Sequence, residues 1–127
     1  MNFPNELLYS KSHEWVRALD DTSVQVGITD YAQHELGDIV FVNLPEVGDE
    51  ARKEERIADV ESVKAVSDIF SPVTGMVRAI NEAVMDEPEL INADPYGTWL
   101  FEIENVAERE ELLSAEEEYR KRYVKEG

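Results

Sequence analysis

The sequence contains no cysteine in 127 residues. It can therefore form no disulfide, no thiolate nucleophile and no cysteine-ligated zinc or iron–sulfur site, so any redox chemistry must come from an added group. Basic residues are scarce: 12 Lys and Arg face 29 Asp and Glu, for a formal net charge of −17. Such a chain repels phosphate backbones and anionic lipid, which argues against nucleic acid and membrane as partners and favours partners with basic rims. No stretch reaches the ~18 consecutive apolar residues of a membrane span. The opening MNFPNELLYSKSHEW has neither a basic leader nor a long apolar run, so a mature, cytoplasmic chain is expected. Only two histidines occur and neither HExxH nor GxSxG is present, so no metal site and no catalytic residue is expected. Ser12 and His13 are neighbours in an apparent strand, where their side chains would point to opposite faces, which opposes a hydrolase reading.

What is present reads as short strands joined by turns, in one domain large enough to bury a core. Trp15 to Leu19 is a strand, Asp20 and Asp21 turn, and Val24, Val26 and Ile28 alternate with smaller or polar neighbours as in a half-buried strand. Thr29 can N-cap a short helix through Tyr31, Ala32 and Leu36, and Gly37 can end it. IVFVNL is a strand closed by a turn over Pro45 to Asp49; Arg56 to Val63 and Ala65 to Phe70 are two more strands, the second broken by Ser71 and Pro72. Thr74 and Gly75 read as a turn before MVRAIN, Pro88 and Pro95 punctuate an irregular acidic stretch, and TWLFEI is a final strand. Asn105 with Glu108, and Ser114 with Glu117, are capping-box signals that open a C-terminal helical segment over about 106–125, outside a core of about 13–104. A Gly-led turn, a β-rich run and an acidic turn occur before Lys64 and again after it. Each half has an apolar face it cannot bury alone, which predicts paired sheets in a flattened sandwich or barrel.

Lys64 lies in VESVKAVSDI between two strands, where a tight turn would push it into solvent. By itself that describes an ordinary solvated lysine. Read together, however, SHEWVR, GITDYAQHELGDIVFVNLPEVGDE, ESVKAVSDIFSPVTGMV, NADPYG and WLFEIE fall in order over most of the chain. This set resembles the glycine cleavage H-protein family. The resemblance implies a mainly β hybrid barrel-sandwich of the biotinyl/lipoyl type, with peripheral helices, and a lipoyl group amide-linked to Lys64. It implies a non-catalytic, monomeric carrier that takes an aminomethyl group from glycine decarboxylase to aminomethyltransferase and is then reoxidised by dihydrolipoamide dehydrogenase. It also implies that Ser12, Glu14, His34 and Asp68 line a cleft where the loaded arm rests. Lipoylating enzymes are further partners, with Glu61, Val63 and Ala65 as recognition candidates. Glu61 and Asp68, three before and four after the lysine, could approach it in a hairpin and hold it as the non-nucleophilic ammonium.

Two departures from the family pattern stand away from Lys64. Glu54 occupies a place usually held by glycine, which suggests a changed turn or one that avoids positive φ. PYGTWL is shorter than usual and lacks a second glycine. Three other readings stay open: a biotin acceptor, although Val63 and Ala65 stand where methionines are typical; an H-like protein that relays lipoyl groups or serves a redox system; and an interaction module with an unmodified Lys64.

Overall fold

The structure is a computed structural model that describes residue 4, residues 6–109 and residues 112–114. The described strands and helices run β1 (Leu8–Tyr9), β2 (Glu14–Ala18), β3 (Val24–Ile28), α1 (Asp30–Leu36), β4 (Ile39–Asn43), β5 (Glu50–Ala51), β6 (Arg56–Ser62), β7 (Val66–Phe70), β8 (Val73–Ile80), α2 (Ala83–Asp86), α3 (Leu90–Ala93), β9 (Phe101–Arg109) and β10 (Leu113–Ser114). They form two antiparallel sheets, one ordered β10-β1-β2-β3-β9-β8-β5 and one ordered β4-β6-β7. This is the flattened two-sheet architecture that the sequence predicts, with both sheets open rather than joined into a closed barrel. Alternation explains the layering, because Val24, Val26 and Ile103 of the larger sheet and Val42, Val60 and Ile69 of the smaller one are buried in a single cluster. A second cluster gathers Leu7, Tyr9, Trp15 and Tyr96, with Tyr31 and Trp99 against it.

Helix α1 forms where its caps predict. The Thr29 side chain accepts a hydrogen bond from the Ala32 amide, and Gly37 at φ 78° closes the helix with its N–H on the Gln33 carbonyl. Tertiary contacts hold both ends. The Tyr96 hydroxyl accepts from the Asp30 amide at 3.1 Å, so the short PYGTWL loop is fastened to the start of α1. The same loop receives the Trp15 indole N–H on the Pro95 carbonyl at 2.9 Å.

Four expectations need correction. Thr74 and Gly75 are not a turn but lie inside β8, at an irregularity in its pairing with β9. A Cβ on Gly75 would stand 2.5 Å from the Glu104 carbonyl oxygen, so this glycine marks a close strand approach. The last long strand starts at Phe101 and runs on to Arg109, through the residues 106–109 expected to begin a helix. Val73 pairs with Arg109 and Thr74 with Glu108, so a whole partner strand outweighs the local capping signal at Asn105. Further along the same expected helix, Leu113–Ser114 is the short strand β10 against β1, and residues 115–125 lie outside the described residues. The acidic stretch after Asn81 holds α2 and α3 rather than irregular chain. Ser12 and His13 sit in the turn between β1 and β2, with His13 at φ 71°, and not in a strand.

Gly75→Ala should destabilise the protein by ~1–3 kcal/mol, because the added methyl meets backbone oxygen that cannot move aside. A lowered urea midpoint with an unchanged denaturant slope checks this.

Candidate functional site

Lys64 is exposed in the loop of residues 63–65 that joins β6 to β7. The loop is fixed from both sides. Ser62 closes it, its N–H donating to the Ala65 carbonyl at 2.8 Å while its Oγ accepts from the amides of Lys64 at 3.2 Å and Ala65 at 3.1 Å. The Val63 N–H donates to the Asp38 carbonyl at 3.0 Å, which pins the tip to the corner between α1 and β4. Asn92 on α3 holds that corner: its Nδ2 donates to the Gly37 carbonyl at 2.9 Å, and its Oδ1 accepts from the Ile39 amide at 2.9 Å. The Lys64 stem runs past Gly37, where an added Cβ would stand 3.7 Å from its Cε. Ser62, Asp38 and Asn92 do not stand out in the sequence, although Asn92 opens the NADPYG motif.

Around the tip the surface is apolar. Val63, Val66 and Phe41 are 70%, 66% and 50% exposed. The strand register sets Phe41, Glu61 and Val66 side by side across the smaller sheet. Glu61 therefore lies between two hydrophobic residues at the base of the tip, flanking the lysine loop.

Two tracks lead away from Lys64. On β7, Val66, Asp68 and Phe70 alternate onto one face, a run of ~13 Å at the usual strand rise. Asp68 does not reach the lysine; Arg56 takes it, Nε to Oδ1 at 3.0 Å, and the same guanidinium also bonds Asp59. Asp59 and Asp68 are register partners, so Arg56 neutralises two carboxylates that would otherwise repel across the hairpin. On α1, Tyr31, His34 and Gly37 recur at three-residue spacing. Gly37 meets Lys64, Tyr31 meets the His13 ring at 4.9 Å between centroids, and exposed His34 lies between them. Burial lowers the His13 ring from its ordinary value, against the opposing field of Glu35.

Beyond Phe70 lies a cavity of about 190 Å³ lined by Lys11, Ser12, Glu54 and Phe70. Behind it sits Glu14, 1% exposed. Its Oε1 accepts from Ser10 Oγ and Ser12 Oγ, both at 2.5 Å, and its Oε2 accepts from the Phe70 amide at 3.3 Å. The structure thus brings Ser12 and Glu14 together, leaves Asp68 partway along β7, and puts His34 on the other track. Burial pushes the Glu14 carboxyl up from its ordinary value, while the Ser10, Ser12 and Phe70 hydrogen bonds pull it down. Glu54 corrects another expectation. It does not avoid positive φ but adopts φ 64°, the left-handed conformation a glycine would take, at ~1–2 kcal/mol for a residue with a Cβ.

The family model described as glycine cleavage H-protein matches residues 7–126. The chain belongs to the glycine cleavage H-protein family. It is 56% identical over 117 residues to the glycine cleavage system H protein of Lachnoclostridium phytofermentans, covering 92% of each chain. To that of a Psychrobacter species it is 57% identical over 119 residues, covering 91% of this chain and 94% of the other. The crystal structure of a glycine cleavage system H protein from Mycobacterium marinum superposes with a TM-score of 0.86 at 40% identity, covering 93% of this chain and 96% of that one. Glycine cleavage H proteins are non-catalytic carriers with a lipoyl group on a lysine, and this chain is such a carrier. The residues here fit an acyl arm on a lysine Nζ: an exposed lysine, a fixed tip and a cavity along the adjoining strand.

Two outcomes follow. Ser62→Ala removes the acceptor of two loop amides, so hydrogen exchange at Lys64 and Ala65 should accelerate while exchange in β2 and β3 stays unchanged. For Glu14, a value raised in the folded state means its stabilising contribution is full below pH 4.5 and is lost as pH rises through the raised value. The melting temperature of the wild type minus that of Glu14→Gln should therefore fall as pH rises past 4.5, and a constant difference would contradict it.

Proposed function

We propose that Lys64 is the lysine that bears the lipoyl group, and that Ser12, Glu14, His34 and Asp68 line the course of the arm. The observation that carries this reading is the exposed Lys64 at a tip held by Ser62 and Asp38. When attached, the group supplies a disulfide ring on a long arm, able to accept a carbon fragment and two electrons. The chain's own residues do the rest. A rigid hairpin aims the arm, and tethering raises its concentration at each docked enzyme. The apolar surface of Phe41, Val63 and Val66, with Glu61 set into it, forms the recognition face for the lipoylating enzyme. Glu14 gives the far end of the course a buried carboxylate, suited to hold an amine away from water.

In this reading the carrier works as a cytoplasmic monomer between glycine decarboxylase, aminomethyltransferase and dihydrolipoamide dehydrogenase. The departures at Glu54 and PYGTWL are what would allow the relay alternative. Glu54 keeps the glycine-like φ and the loop is bonded to Trp15 and α1, so the backbone is held in place at both departures.

The intact mass of protein purified from its own cells should show a lipoyl increment that Lys64→Arg abolishes. A biotin increment, or none, would sink the assignment. Glycine–bicarbonate exchange with glycine decarboxylase should be supported by the lipoylated wild type and lost with Lys64→Arg; exchange that persists with the variant would exclude the carrier role of this lysine.

A further inference from the structure

Asn92, on the one-turn helix α3, directs its side chain to the corner that holds the lysine loop. A primary amide offers two donors and one acceptor oxygen, and here all are used. Nδ2 donates to the Gly37 carbonyl at 2.9 Å and to Gln33 Oε1 at 3.0 Å, while Oδ1 accepts from the Ile39 amide at 2.9 Å. These partners lie in the body of α1, at its end and at the start of β4, so one side chain spans the corner on both sides of Asp38. The Asp38 carbonyl in turn receives the Val63 N–H at 3.0 Å.

The groups on which Asn92 depends are themselves anchored. Ile91 beside it is buried, and the Leu90 carbonyl accepts from Thr98 Oγ1 at 3.1 Å. Gln33 Nε2 donates to Asp30 Oδ1 at 2.7 Å, and the Asp30 amide is the one bonded by the Tyr96 hydroxyl. The corner is the softer partner, because Gly37 at φ 78° has the widest backbone freedom and Asp38 is exposed. Ile39 is buried, so removing Asn92 leaves its N–H without this acceptor, and the corner must open to water to satisfy it. Opening the corner moves the Asp38 carbonyl, and with it the bond that fixes Val63 beside Lys64.

We propose that Asn92 is a positioning residue for the acylation of Lys64: through Asp38 and Val63 it holds the lysine loop in the conformation that the lipoylating enzyme binds. This role rests on the reading of Lys64 as the attachment lysine. With an acyl-adenylate as the activated donor, Lys64 first gives one ammonium proton to solvent. Its Nζ then forms the amide bond to the acyl carbon as the carbon–oxygen bond to the phosphate breaks; AMP leaves and Nζ releases a second proton. Asn92 acts through the corner and not on these atoms. It sets the fraction of carriers whose tip is presented, and a fraction of about one-fifth raises the apparent Kd and KM about five-fold while leaving the bound complex, and so kcat, unchanged.

The test follows acylation of the full chain by a lipoylating enzyme supplied with lipoate and ATP, for the wild type, Asn92→Ala and Asn92→Asp. The aspartate variant keeps the size and an acceptor for Ile39 and loses the two donated bonds. Gly75→Ala, destabilised within the larger sheet, is the stability control. Expected are an acceptor KM raised about five-fold in both Asn92 variants with kcat within about two-fold, faster amide exchange at Val63 and Lys64, and both constants near wild type in Gly75→Ala. An unchanged KM in both Asn92 variants, or an equal rise in Gly75→Ala, would overturn the proposal. So would a loss carried by kcat alone with unchanged exchange at Val63. A wild type that takes no lipoyl group at Lys64 overturns the attachment reading and this proposal with it, whereas a modified wild type with unaltered Asn92 variants overturns the positioning role alone.

Discussion

The hydrogen bond from the Val63 amide to the Asp38 carbonyl is the contact on which the rest of the site depends. A two-strand hairpin is marginal alone, and its tip would move freely in water. Tying the tip to the α1–β4 corner transfers the rigidity of both sheets to one lysine. Asn92 bonds the corner on each side of Asp38, so α3 stabilises the lysine loop through that corner. Gly37 serves twice, ending α1 in a conformation open to glycine and leaving room for the Lys64 stem.

Electrostatics then sets what the surrounding surface can do. The chain carries a large excess of acid, and carboxylates crowd the very hairpin that bears the lysine. Arg56 keeps Asp59 and Asp68 from repelling across β6 and β7, so the strand pairing survives its own charges. Glu14 is the opposite case: it is buried, and neutral hydroxyls and one amide supply its bonds in place of a cation. A carboxylate in that state has desolvation unmet by a counter-charge, which is the physical basis for reading it as a receptor of a positive group.

Much of the architecture was legible because it rests on local patterns. Alternation at Val24, Val26 and Ile28 marks a strand with one buried face, and Thr29 with Gly37 marks both ends of α1. The errors share a cause. Gly75 looks like a turn residue and Asn105 like a helix cap, yet each lies in a strand because β8 and β9 pair along most of their length. A glycine permits a turn and equally permits close approach by a neighbouring backbone, and only the neighbour decides between them. Glu54 was misread for a related reason: its side-chain type disfavours positive φ, and the hydrogen bonds that the amides of Glu54 and Glu55 donate to the Ser71 and Arg52 carbonyls override that preference.

The sequence by itself determined the family of the protein. Composition and alternation give an acidic, mainly β chain; the ordered motifs SHEWVR, ESVKAVSDIFSPVTGMV and NADPYG carry the resemblance to the family, because they depend on residue identity and order alone. Only the tertiary structure decided which groups share a site. It paired Ser12 with Glu14, gave Asp68 to Arg56 instead of to Lys64, and set Glu54 opposite Lys11 across a cavity. Such partnerships join residues whose geometry is set by strand register and loop closure, which no local pattern encodes.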